Sequence, residues 1–155
     1  MRVGIGYDVH PFGKGRRLML GGVLIEGEEG LDGHSDADVV LHAIIDALLG
    51  AAGLGDIGLH FPPGDPAYAG ADSKDLLRHV MRLLKEAGHT VENVDVTVIA
   101  ERPRLQDHIG RMRRTIAPIL EVEEMRVSVK ATTHEGLGAI GRGEGVAAMA
   151  VTLLK

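Results

Sequence analysis

Apolar residues recur at a helical spacing in three stretches of the chain. Val40, Leu41, Ile44, Ile45, Leu48 and Leu49 form one stripe, predicting a helix that Asp36 can cap, that runs to about Ala52 and that Gly53 can end. Leu76, Leu77, Val80, Leu83 and Leu84 form a second, with Asp72 or Ser73 as cap and Gly88 as stop. Ile109, Met112, Ile116 and Ile119 mark a third from about residue 105 to 120, its last turn weakened by Pro118. Alternating or β-branched runs predict strands at 1–9, 94–100, 126–132 and 146–154, and a hairpin of 17–20 with 23–25 around Gly21-Gly22. Such an order predicts an α+β fold: a two-layer α/β sandwich whose mixed sheet carries three helices packed on one face. The other face of the sheet must then be buried too or be partly solvated, and oligomerisation is one way to bury it.

A chain of 155 residues suits one domain, 1–155, and buries roughly 68–70% of the surface its unfolded form exposes. Its 45% apolar and 25% charged residues, with a mean hydropathy of +0.07, lie in the globular range. No apolar run reaches about 18 residues and the start MRVGIGYDVH lacks the apolar stretch of a signal peptide, so a cytoplasmic protein without a membrane span is expected. The absence of Cys excludes disulfides, iron–sulfur clusters, thiolate zinc sites and thiol catalysis, leaving eight His and the carboxylates as metal ligands. The net charge of −5 is uneven: residues 1–75 hold 12 acids and 5 bases, residues 76–155 hold 10 acids and 12 bases. Five Arg between Arg102 and Arg114 make either a solvated helix face or an anion site. Nucleic acid is not an expected partner, because Tyr7, Tyr68, Phe12 and Phe61 are the only aromatics available to stack on bases. Residues 53–71 hold five Gly and three Pro without periodicity, which predicts an active-site flap.

Asp8 and His10, at i and i+2, project from one side of an extended strand and can share an ion, although an Asp turn beside a surface His has the same signature. His42, on the polar edge of the first helix, adds a third ligand, and Asp46 one turn later can orient its ring. Three ligands with an open fourth position are the arrangement of catalytic zinc. Gly33-His34-Ser35-Asp36-Ala37 has the form of a nucleophile elbow, but polar turn sequence precedes it where an elbow needs a strand, and a serine hydrolase is rejected. Ser35 and the amides at the helix start are then either a phosphate cradle or a plain cap. Residues 130–135 run off a strand end into a glycine loop, where Thr132, Thr133 and backbone amides can meet phosphate oxygens and Glu135 can take a hard cation. Asp56 offers another oxygen ligand, and Arg142 is either a guanidinium for an anion or part of a solvated turn.

Together, DVH at 8–10, HSDADVVLH at 34–42, DALLGAAGLGDIG at 46–58, KATTHE at 130–135 and GRGEG at 141–145 resemble the 2-C-methyl-D-erythritol 2,4-cyclodiphosphate synthase (IspF) family over essentially the whole chain. The resemblance implies a homotrimer with active sites between neighbouring subunits, one zinc ion per site held by Asp8, His10 and His42, and Mg2+ or Mn2+ near Glu135. It implies a CDP-linked substrate, 4-diphosphocytidyl-2-C-methyl-D-erythritol 2-phosphate, whose 2-phosphate attacks the β-phosphorus to close a cyclic diphosphate and expel CMP, a lyase step of non-mevalonate isoprenoid synthesis. His34 and Thr133 would stabilise the transition state, and Ser35 would help hold phosphate. Asp56, Ile57 and Gly58, with Phe61, Pro62, Pro63, Gly64 and Asp65, would line the erythritol end. Ala100, Glu101, Arg102, Pro103, Arg104, Leu105 and Gln106, with Ala131 and Thr132, would frame the cytidine, largely through backbone groups. Arg142 and Glu144, near Ala139, would sit toward a central channel where relatives can bind an isoprenoid diphosphate. Many relatives have an acid at Pro63, Lys at Arg104, Thr at His134 and Phe at Ala139, so flap and channel contacts differ here. Two other functions fit the residues: a zinc phosphodiesterase or phosphatase using a metal-bound hydroxide, and a non-enzymatic trimer that binds a small diphosphate through Arg142.

Overall fold

All residues from 1 to 155 are described by the structure, a computed structural model, which places a four-stranded mixed sheet at the centre of an α+β fold. Across the sheet, β1 (Arg2–Pro11) is followed by β6 (Gly145–Leu154), β4 (Val91–Ile99) and β5 (Val127–Thr132). β6 runs antiparallel to both of its neighbours, whereas β4 and β5 are parallel, so the C-terminal ends of β1, β4 and β5 meet at one end of the sheet. The hairpin of β2 (Leu18–Leu20) and β3 (Val23–Ile25) forms a small sheet of its own around Gly21-Gly22, as expected.

The helices in chain order are α1 (Val39–Ala52), a four-residue α2 (Ile57–His60), α3 (Ser73–Glu86), α4 (Ile109–Ile119) and a four-residue α5 (Gly138–Gly141). α1 lies on β1 and β6, α4 packs on β5, and α3 fits beside α1 and α4. The predicted stripes face inward: Leu41, Ile44, Ile45, Leu48 and Leu49 of α1 meet Leu77, Val80 and Leu84 of α3, Met112 and Ile116 of α4, and Val94, Val96 and Val98 of β4 in one buried cluster. Each such side chain contributes about 1.5–3 kcal/mol when fully buried. No helix is long and apolar enough to cross a membrane.

β1 has an unusual distribution of side chains. Its inner positions begin with Gly4 and Gly6, and a Cβ at either would lie 2.0 Å from a carbonyl oxygen of α1, that of Ala47 or Ala43. Only glycine lets the helix backbone lie this close. The outer positions are apolar yet exposed: Val3, Ile5, Tyr7 and Val9, joined by Met149 and Val151 of β6. A contiguous apolar face of this kind is the type of surface at which association occurs.

Several boundaries differ from the sequence expectations. α1 starts at Val39 and is capped by Asp38, not Asp36. Asp38 accepts Leu41 N–H at 3.1 Å and Gly21 N–H at 2.9 Å through Oδ1, and Gly22 N–H at 2.6 Å through Oδ2, tying the hairpin turn to the helix start. Its burial and the nearby Asp36 charge push the Asp38 carboxyl above its ordinary range, against the pull of those three N–H groups. Asp36 instead accepts the N–H of Ser73 at the start of α3. α4 starts at Ile109, because Leu105 turns into the core and its carbonyl accepts His108 N–H, closing a turn ahead of the helix. β4 starts at Val91, with a register shift between Val91 and Asn93 against β6. The long loops at 53–71 and 133–145 contain the short α2 and α5 and a 3-10 turn at Pro66–Tyr68.

Two glycine substitutions are predicted to act in opposite directions. Gly6→Ala drives a methyl into the Ala43 carbonyl and should lower the unfolding free energy by at least ~1–3 kcal/mol. Gly50→Ala, in α1 with only Ile5 O at 3.9 Å, should raise it by ~0.5–1 kcal/mol. Denaturant midpoints of the two variants and the parent protein check both signs.

Candidate functional site

β1 and α1 bring three metal-ligating side chains together because their repeats match. Four residues of helix rise about 6 Å and two residues of strand about 6.7 Å, so Gly4 meets Ala47, Gly6 meets Ala43, and the next inner position, Asp8, comes level with the first turn of α1, toward which the His42 side chain leans from one turn later to meet it. Asp8 Oδ2 lies 2.9 Å from His10 Nε2 and 3.0 Å from His42 Nδ1, and the two ring nitrogens are 3.3 Å apart. Tetrahedral zinc with bonds of about 2.0–2.1 Å separates its ligand atoms by about 3.3–3.4 Å. The donor set fits such an ion with an expansion of a few tenths of an ångström at most.

The electrostatics follow from this convergence. Burial works to raise the Asp8 carboxyl, but hydrogen bonds and Coulomb attraction from His10 and His42 outweigh it and hold it well below the ordinary range. For His10, burial works downward, while the hydrogen bond and charge of Asp8 and the carbonyl of Asp32 win and raise it. Each ring is also held at its far side. His10 Nδ1 donates to Asp32 O at 2.8 Å, with Gly33 against the ring, where a Cβ would lie 3.0 Å from Cε1 and Nδ1. His42 Nε2 lies 2.9 Å from Ser73 Oγ and 3.1 Å from Ser35 Oγ. The expectation that Asp46 orients His42 is corrected: Asp46 accepts Ile57 N–H at 2.7 Å and so anchors the start of α2.

These ligands open into a cavity of about 240 Å³ whose other walls include His34, Ile57, Gly58, Phe61 and Pro63. His34 Nε2 donates to Asp65 O at 2.8 Å, fastening the 61–65 segment over the cavity. Phe61 is buried, edge-on to Tyr68 and His79 with ring centroids 5.3 and 5.4 Å away. Asp56 caps α2 through Leu59 N–H at 2.9 Å, and Asp65 accepts Ala67 N–H at 2.9 Å. Pro62 and Gly64 are exposed and do not line the cavity. Ser35 is buried, with its hydroxyl also accepting Ala37 N–H at 3.2 Å, so that side chain is engaged inward.

A second cavity, about 280 Å³, lies beyond the ends of β4 and β5, lined by Ala100, Glu101, Pro103 to Gln106 and Ala131 to Thr133. Glu101 Oε1 accepts His134 N–H at 2.8 Å and so clamps the glycine loop. Thr133 Oγ1 donates to Glu135 Oε1 at 3.3 Å, and His134 is exposed. Arg102 does not line this cavity: it lies over the Phe12 ring, 4.1 Å from its centroid, and pairs with Glu29 at 3.1 Å. Arg142 donates to Glu144 at 2.6 Å on the surface after Ala139 and α5. His34 and Thr133 therefore belong to different cavities, one at the β1 edge and one at the β5 edge of the same sheet end. Three strand spacings, about 14 Å, separate those edges.

Sequence reasoning passed over Arg16, whose guanidinium donates to Leu31 O at 2.9 Å and Ser35 O at 2.5 Å and shapes the loop beneath the cavity. It took Ser73 for a helix cap only, and the loop clamp made by Glu101 has no local sequence signal.

A family model described as the YgbB family matches residues 1–155. The 2-C-methyl-D-erythritol 2,4-cyclodiphosphate synthase of Symbiobacterium thermophilum is 60% identical over 154 residues, covering 99% of this chain and 98% of that one. The bifunctional IspDF of Campylobacter jejuni superposes with a TM-score of 0.96 at 45% identity, covering 99% of this chain and 42% of that one. A 2C-methyl-D-erythritol-2,4-cyclodiphosphate synthase solved in its CDP-bound form gives a TM-score of 0.91 at 38% identity, covering 99% of this chain and 100% of that one.

The convergent donors should take up one divalent ion per chain when the apoprotein is titrated with Zn2+ or Co2+. Asp8→Ala and His42→Ala should each weaken that uptake by more than the ~10–100-fold that loss of a group supporting a ligand costs, as read by chelator competition.

Proposed function

The chain belongs to the YgbB family, whose curated relatives are named 2-C-methyl-D-erythritol 2,4-cyclodiphosphate synthase, and from that premise we propose its reaction and its assembly. The substrate is 4-diphosphocytidyl-2-C-methyl-D-erythritol 2-phosphate. The products are 2-C-methyl-D-erythritol 2,4-cyclodiphosphate and CMP, formed by a phosphorus–oxygen lyase of the cytoplasmic non-mevalonate isoprenoid pathway. The observation that carries this reading is the convergence of Asp8, His10 and His42 at the wall of a small cavity, with a second cavity at the same sheet end.

The obstacle to such a reaction is that one anion attacks another. Two unit charges 4 Å apart repel by about 1 kcal/mol in water and by about 4 kcal/mol at an effective dielectric near 20. Zinc held by Asp8, His10 and His42, with Mg2+ or Mn2+ at Glu135, would supply the charge neutralisation at the diphosphate oxygens. His34, fixed by its bond to Asp65 O, adds a charge-assisted donor to phosphate when its Nδ1 is also protonated. Ser35 contributes its backbone N–H and its hydroxyl hydrogen, which stays uncommitted because the oxygen accepts from Ala37 N–H and His42. No nucleophilic side chain is needed: holding the 2-phosphate in line with the β-phosphorus contributes about 7–11 kcal/mol.

The cytidine occupies the cavity beyond β4 and β5, where Ala100 and Leu105 are buried and backbone groups are left to read the base edge. Glu101 holds the loop that carries Thr133, whose hydroxyl donates to Glu135 in this structure and would turn to phosphate once Glu135 holds a cation. Because the two cavities sit at opposite edges of one chain's sheet, a rotation that places the β1 edge of one copy beside the β5 edge of the next completes the site. Repeated and closed, it gives a ring. Three copies bury the exposed apolar face of β1 and β6 and turn Arg142 toward a shared channel, with room for an isoprenoid diphosphate.

Incubated with this substrate and both metals, the protein should release one CMP per cyclic diphosphate, followed by 31P NMR, and chelation should stop it. An acyclic product carrying oxygen from water would instead establish a phosphodiesterase, and no turnover would overturn the proposal. Ile5→Glu, on the apolar outer face, should reduce the mass in light scattering from three chains to one. With Asp8, His10 and His42 still in place, turnover should drop by at least about 10²-fold.

A further inference from the structure

Both ring nitrogens of His42 are engaged. Nδ1 faces Asp8 Oδ2 at 3.0 Å, and Nε2 lies between Ser73 Oγ at 2.9 Å and Ser35 Oγ at 3.1 Å. Ser73, the first residue of α3, has 0% of its surface exposed, and its hydroxyl donates to Asp36 Oδ1 while its backbone N–H donates to Asp36 Oδ2 at 3.0 Å. A hydroxyl has one proton, and an ionised carboxylate can only accept. With its proton committed to Asp36, Ser73 Oγ can meet His42 only as an acceptor, so Nε2 must carry the ring hydrogen. In a neutral imidazole the lone pair is then on Nδ1, on the side where Asp8 and His10 converge.

We propose that Ser73 is a positioning residue that, backed by Asp36, fixes His42 in its Nε2–H form and thereby presents Nδ1 as a metal donor. This rests on the reading of Asp8, His10 and His42 as a zinc site. The same task is done for His10 by a main-chain group, since Nδ1 donates to Asp32 O and leaves Nε2 for the ion. For His42 it falls to a chain of side chains, Asp36 to Ser73 to His42. The carboxylate at its end increases the electron-donating power of Nδ1, as an outer carboxylate does for other metal-bound imidazoles. Ser35 adds a second acceptor to Nε2, but its geometry does not select the tautomer, because its own proton is not committed elsewhere. Asp46, the carboxylate nearest in sequence on the same helix, is occupied by Ile57 N–H.

The first test needs no variant. In the full-length apoprotein, long-range 1H–15N spectra should show His42 Nε2 carrying a hydrogen, whether or not Nδ1 also donates one to Asp8; a bare Nε2 would overturn the proposal. The second compares zinc affinity by chelator competition in the parent protein, Ser73→Ala and Ser73→Thr, each with thermal unfolding recorded. Ser73→Ala should bind zinc about 10–100-fold more weakly and show a mixed His42 tautomer, and Ser73→Thr, which keeps the hydroxyl, should recover most of the loss. Equal affinity in Ser73→Ala and the parent would overturn the role of Ser73 while leaving the zinc site intact. A parent protein that binds no zinc would instead remove the zinc reading, and the tautomer spectrum would still decide the relay. Should Ser73→Ala fail to fold, the parent spectrum and the Ser73→Thr affinity decide it.

Discussion

At Gly4 and Gly6 the backbones of strand β1 and helix α1 touch with no side chain between them, and the position of everything near the metal ligands follows from that contact. Glycine in a strand interior costs about 0.5–1 kcal/mol relative to alanine through chain entropy. Burial of the opposite face of α1 offsets this several times over, since Leu41, Ile44, Ile45, Leu48 and Leu49 are all withdrawn from water. The helix is thus pressed from its far side onto a strand that offers no resistance. Where the glycines stop, the same inner row of β1 continues with Asp8 and His10, and the helix presents His42 at that level.

The close approach also explains the charge state of the ligands. A carboxylate and two imidazoles removed partly from water are individually penalised, and they remain charged or hydrogen-bonded because each satisfies the others. Asp8 is held low and His10 is held high by one shared contact. Their rings and carboxylate are not free to turn away, because Asp32 O fixes one ring, Ser73 and Ser35 fix the other, and Gly33 closes over His10. The donor set is therefore organised before any ion arrives, which removes an ordering cost from binding.

Much of this was legible in the sequence, and the parts that were not share a cause. The helical stripes, the hairpin at Gly21-Gly22 and the Asp8–His10–His42 set depend on local spacing plus one long-range pairing, and these are found in the structure. Asp36 reads as the cap where Asp38 is the cap because both precede the same apolar run, and only the arrival of β2–β3 and of Ser73 separates their roles. Helical spacing points Asp46 to His42, yet the α2 segment, reached through a glycine-rich loop, takes its carboxylate. Arg16, Glu101 and Ser73 act on partners 15 to 33 residues away through hydrogen bonds with no periodic trace. Periodicity reports which face of an element is buried; it does not report which polar atoms meet once elements are packed.

The glycines of β1 also bear on the proposed association of copies. A strand at a sheet edge ordinarily sends apolar side chains inward and polar ones outward. In β1 the inner row is Gly4, Gly6, Asp8 and His10, and the apolar residues Val3, Ile5, Tyr7 and Val9 are left on the outer row. Removing side chains from the inner row to admit the helix leaves the strand's apolar area on the side that α1 cannot cover. The geometry that assembles the metal ligands thus generates an uncovered apolar surface in the same strand. In the assembly inferred above, covering that surface also brings the β5-edge cavity of one copy to the β1-edge cavity of another. Ligand convergence and subunit association are then two consequences of one choice of residues, and a substitution that restored ordinary amphipathicity to β1 would remove both together.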